Sequence, residues 1–90
     1  MRAVIYDISD MTKKKALWLL NSINSSIEQG YYVILTYSGK INSGWLEYVK
    51  SRVNDNIGHY NLDNNKDIEK RKSFSKFLLH FEKVEKIEYK

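Results

Sequence analysis

The segment Asp7-Ile-Ser-Asp-Met-Thr-Lys-Lys-Lys brings two carboxylates, two hydroxyls and the lysines Lys13, Lys14 and Lys15 together within nine residues. Paired carboxylates can hold a hard cation or serve as nucleophile and base, and lysines beside free backbone N–H groups can hold phosphate. A second polar run, Thr36, Ser38, Gly39 and Lys40, follows the next apolar stretch. If the two runs close neighbouring parallel strands they share one sheet edge, which is where open α/β sheets bind ligands. Three lysines in a first helical turn oppose the helix dipole by about 0.3–1 kcal/mol each at low salt. An anion bound there would compensate, and so would an N-cap, the role expected of Asp10. A metal could draw only on Asp7 and Asp10, because His59 and His80 lie on different elements with no partner at ligand spacing. No cysteine, Gly-x-Ser-x-Gly turn or Gly-rich phosphate loop is present, so no cofactor is expected.

Two further constellations point to binding rather than chemistry. At about 100° per residue, Lys72, Lys76 and Lys83 project from the third helical segment opposite an apolar stripe of Phe74, Phe77, Leu78 and Phe81, with Arg71 on the flank. That face suits a phosphate backbone or an acidic protein groove. The aromatics Trp18, Trp45 and Tyr48 are the candidates for a partner interface or a homodimer contact, because a domain this small cannot bury all its large rings. Trp18 lies off the main stripe of its helix and is expected to face solvent or a partner.

The elements that must position these residues follow from periodicity. Residues 2–8 and 31–37 are apolar on both alternating sets, as central parallel strands are. Between them, Ala16, Leu20, Ile23 and Ile27 form a helical stripe over 11–29, widened by Leu17, and Gly30 supplies a left-handed stop. Leu46, Val49 and Val53 share a face in a short helix over 43–54, although the same stretch could pair back as a strand. Residues 57–62 alternate weakly as an edge strand, Asp67 caps the third helix, and residues 84–89 form an amphipathic last strand. The order βαβαβαβ predicts a single α/β domain over 1–90, a four-stranded sheet with helices packed on it. The alternative is a ferredoxin-like α+β fold, βαββαβ.

Composition bounds the rest. The 90 residues carry 15 Lys and Arg against 11 Asp and Glu, a net charge of +4, with 42% hydrophobic residues. The excess is divided equally between the two halves of the chain, so it forms no basic tail and any patch must be assembled by folding. No run approaches the roughly 20 apolar residues of a membrane span, and the first residues are too polar for a secretory signal, which leads us to expect a cytoplasmic protein with no membrane partner.

Two resemblances bear on the opening strand. Asp7 and Thr36 resemble positions of the haloacid dehalogenase-like phosphotransferases, which place a nucleophilic Asp at the end of the first strand and Thr or Ser at the end of the second. The second acid of that family lies two residues on, whereas here it is Asp10, three on, and the family's later Lys and acidic metal motif are not identifiable. Val-Ile-Tyr-Asp-Ile-Ser-Asp also resembles the start of the small CRISPR adaptation proteins, which implies a ferredoxin-like fold, but their Arg-rich segment is missing. The leading expectation is therefore a non-enzymatic macromolecule-binding protein, engaging nucleic acid through lysines of the first and third helices. The alternatives are a regulator or inhibitor that binds an acidic protein surface, and a metal-dependent phosphoryl-transfer enzyme at Asp7 and Asp10.

Overall fold

The computed structural model describes residues 1–89 and contains four strands and three α-helices in the order expected. The strands are β1 (Arg2–Asp7), β2 (Tyr32–Tyr37), β3 (Gly58–Asn61) and β4 (Lys83–Ile87); the helices are α1 (Lys13–Glu28), α2 (Ser43–Ser51) and α3 (Ile68–Leu78). A 3-10 turn over Leu62–Lys66 leads into α3. All strand pairs are parallel in the order β3-β2-β1-β4, with Asp7 in register with Thr36 and Tyr6 with Ile87. This all-parallel sheet excludes the ferredoxin-like alternative, and with it the fold implied by the likeness to the CRISPR adaptation proteins.

The strand positions explain the two kinds of strand. β1 and β2 are central, each with four consecutive buried residues, because both faces are covered. β3 and β4 are the edges; they are short and carry His59, Lys83, Glu85 and Lys86, polar groups that discourage pairing with another sheet. The larger core joins Val4, Tyr6, Ile8, Val33 and Leu35 of one sheet face to Leu19 and Ile23 of α1 and Leu46 and Val49 of α2. On the other face Ala3, Ile5 and Ile34 meet α3 alone, through Phe74, Leu78 and the following Phe81. No residue of α3 is buried, although its stripe is the most regular in the sequence.

Four local expectations change. Thr12, not Asp10, caps α1: its hydroxyl accepts from Lys15 N–H, while Asp10 sits in the preceding turn with a left-handed φ of 56°. Leu19 is fully buried and Leu17 is 65% exposed, so the stripe of α1 is turned by one position on that flank. Helix α2 ends at Ser51, short of residue 54. Lys83 lies on β4 rather than on α3, because the helix stops at Leu78 and the chain turns through His80 and Phe81 to start the strand. Two expectations hold: Gly30 takes φ 84° after α1, and Asp67 caps α3 by accepting from Glu69 and Lys70 N–H.

Candidate functional site at the carboxyl edge of the sheet

In a parallel sheet every strand ends on the same side, and each following helix starts there. The carboxyl edge therefore collects the polar runs after β1 and β2, the 3-10 turn after β3 and the amino ends of all three helices. The chain leaves β1 for β2 in one direction, and after β3 it crosses back to place β4 on the far side of β1. The gap between β1 and β4 at this edge is thus the topological switch point of the fold.

Asp7 occupies that position and is exposed. Its Oδ1 accepts from Ser9 N–H at 2.7 Å and its Oδ2 from the Thr36 hydroxyl at 3.3 Å, so adjacent strand ends hold the carboxylate by two hydrogen bonds. Lys15 Nζ donates to the Ser9 carbonyl at 3.0 Å, and the Ser9 and Ser38 hydroxyls face each other at 3.5 Å. A shallow pocket opens between this turn and the end of β4, lined by Asp7, Ser9, Asp10, Lys15, Glu88 and Tyr89. Among the described residues no three His, Cys, Asp or Glu side chains gather closely enough to hold a metal ion.

Three of the carboxylates at the edge are held by backbone groups, as is Lys15, whereas Lys13, Lys14 and Lys40 make no hydrogen bond or ion pair through their side chains among the described residues. Asp7, Asp63 and Asp67 each accept from backbone N–H groups: Ser9, Gly39 and the first turn of α3. Asp63 thereby ties the loop after β2 to the turn after β3, a contact that sequence reading missed. Lys13 and Lys14 open α1 with no acid in its first turn, and Lys40 lies exposed in the loop before α2. The two ion pairs of the described residues, Met1 amino group to Glu82 at 3.7 Å and Lys83 to Glu85 at 2.9 Å, both lie near the opposite edge, where β4 begins. The hydrogen bond that the Lys83 ammonium donates to Glu85, and then the Glu85 charge, hold the Lys83 pKa above the usual lysine value.

The structure splits the expected basic residues. Lys13, Lys14, Lys15 and Lys40 come together at the carboxyl edge. Arg71 and Lys72 lie in the first half of α3 on the other sheet face, where Arg71 Nη1 reaches the Asn65 carbonyl at 3.5 Å. Lys76 is in the last turn of α3, near the amino edge, and Lys83 is committed to Glu85. Helices α1 and α3 cover opposite faces, so their lysines can meet one ligand only across the carboxyl edge.

The aromatic candidates also separate. Trp18 does not project freely: it packs edge-to-face between Tyr6 at 6.0 Å and Tyr89 at 5.3 Å, filling the flank of α1 that faces β4. Trp45 and Tyr48 stay together on α2, edge-to-face at 5.8 Å, beside Leu17 and Ile41. No helix among the described residues is long and apolar enough to cross a membrane.

Fold and site define a minimal parallel α/β protein with its polar groups gathered at the switch-point edge. Comparison with family models, curated proteins and solved structures finds no match for the chain.

Proposed function

We propose that this protein binds nucleic acid, with the phosphate backbone crossing the carboxyl edge of the sheet over Lys13, Lys14, Lys15 and Lys40. The observation that carries the reading is the contrast in engagement at that edge. Asp7, Asp63 and Asp67 are tied to backbone N–H groups, while among the described residues Lys13, Lys14 and Lys40 form no ion pair and α1 keeps three lysines against its own dipole. A phosphate chain would relieve that repulsion and use the first-turn N–H groups of α1 that the Thr12 cap does not take. Arg71 and Lys72 extend the path toward α3.

Fluorescence anisotropy with labelled single- and double-stranded DNA and RNA tests the proposal. Binding is expected at about 50 mM salt and should fall steeply by about 200 mM, as counterion release requires. Absence of binding to every probe at the lower salt would overturn it.

A second reading rests on one observation, the Asp7 carboxylate held by Thr36 at the switch point. It makes the protein a phosphoryl-transfer enzyme with Asp7 as nucleophile: the carboxylate attacks phosphorus as the leaving group departs with a proton from solvent, and water then cleaves the aspartyl phosphate to release phosphate and restore Asp7. Slow magnesium-dependent hydrolysis of an aryl phosphate, lost in Asp7→Asn, is the outcome that would support it. Turnover that survives this substitution would remove it.

A further inference from the structure

Ile41 directly precedes Asn42, the cap position of α2, and a hydrophobic residue there ordinarily packs onto the fourth residue of the helix. Here that residue, Leu46, is buried in the core and Ile41 is 92% exposed. The staple is not made, and Ile41 instead forms one wall of a shallow apolar depression with Leu17, Gly44, Trp45, Tyr48 and Lys13. Leu17 is 65% and Tyr48 37% exposed, so apolar surface from two helices converges at one place beside the lysines of the edge.

Charge flanks this depression at both ends. Lys13 lines it and Lys40 adjoins Ile41, while at the far end the Arg52 guanidinium lies over the outer Tyr48 ring, 5.2 Å from its centroid. Trp45, Tyr48 and the C-cap residue Arg52 follow one another at steps of three and four residues, a single side of α2, and Ile41 joins them from the loop before the helix. The only acid of α2, Glu47, stands about 100° round from Tyr48 and about 160° from Trp45. Apolar and aromatic side chains interleaved with cations, with the acid turned away, match a chain that alternates flat apolar groups with negative charges.

We infer that the depression between α1 and α2 receives unpaired bases, so that the nucleic acid bound by this protein is single-stranded: bases stack on Tyr48 and Trp45 and pack against Ile41 while the flanking phosphates meet Lys13, Lys40 and Arg52. This rests on the proposed binding of nucleic acid and adds the strandedness and the base contacts to it. A duplex keeps its bases inside and cannot use the depression, whereas stacking on aromatic side chains is the usual means of holding single strands.

The test compares labelled oligothymidine of about ten nucleotides, within the usual range of single-strand site sizes, with an abasic phosphate chain of equal length and with a duplex. The intact protein should bind oligothymidine about tenfold more tightly than the abasic chain. Tyr48→Ala and Ile41→Ser should each lose most of that advantage while leaving the salt dependence unchanged; at Ile41, exposed as it is, the substitution leaves folding untouched. In a Trp18→Phe background, Trp45 fluorescence should be quenched by oligothymidine and not by the abasic chain. Equal affinity for base-bearing, abasic and duplex probes, with no effect of the two substitutions, would overturn the inference and leave the phosphate reading standing. Failure of every probe to bind at about 50 mM salt would overturn both.

Discussion

Replacing Lys13, Lys14, Lys15 and Lys40 together by glutamine should weaken binding to single strands on the order of a thousandfold at about 50 mM salt and reduce the slope of log K against log salt by about 2.8. Both figures follow from four lost phosphate contacts at roughly 0.7 counterions each. The same variant should be more stable than its parent by about 1 kcal/mol at low salt, because three charges that oppose the α1 dipole have gone, partly offset by loss of the Lys15 bond to the Ser9 carbonyl. The gain should vanish near 1 M salt, where the Debye length is about 3 Å. Lysines that were merely solvated surface would show the stability gain without the binding loss, so denaturation and anisotropy on one sample separate the two cases.

Leu19→Ala should be strongly destabilising. The side chain is fully buried between the helix and the β1/β2 face, and its truncation leaves a cavity costing about 2–5 kcal/mol. In a domain of this size that is a fall of roughly 10–30 °C in Tm. Leu17→Ala, two residues earlier, should change Tm by no more than a few degrees, because Leu17 is already 65% exposed. Thermal unfolding followed by circular dichroism measures both, and equal losses at the two sites would contradict the packing described.

The pair Leu17 and Leu19 also shows where the sequence stops being legible. The doubly apolar runs at 2–8 and 31–37 announced central parallel strands, and the βαβαβαβ order followed from the helices between them. Which flank of α1 faces protein depends on strand order, which no periodicity contains. Because β4 joins the sheet beside β1, the Trp18 flank of α1 is covered by Tyr89, Leu19 faces β1 and β2, and the Leu17 flank stays open. The stripe Phe74, Phe77, Leu78 and Phe81 keeps helical spacing past the end of α3, since Phe81 still packs on the sheet from the turn; that regularity extends the helical pattern to Lys83, which in the structure opens β4. At the site, Asp7, Thr36 and the three lysines were visible as types at strand and helix ends. The Asp63 bond to Gly39 N–H was not, because it joins loops 24 residues apart whose proximity only the register of β2 with β3 creates.

The unequal covering of the two sheet faces has a consequence for how a ligand would be held. Lys13, Lys14 and Lys15 ride on a helix anchored by fully buried Leu19 and Ile23, so ordering them on binding costs side-chain entropy only. Arg71 and Lys72 ride on a helix with no buried residue, held by ring contacts such as Tyr60 on Phe74 at 3.9 Å, the kind of element that opens at low free energy. The edge thus pairs a rigid half, which can set affinity, with a half that can shift to follow ligands of different shape at the expense of some ordering entropy.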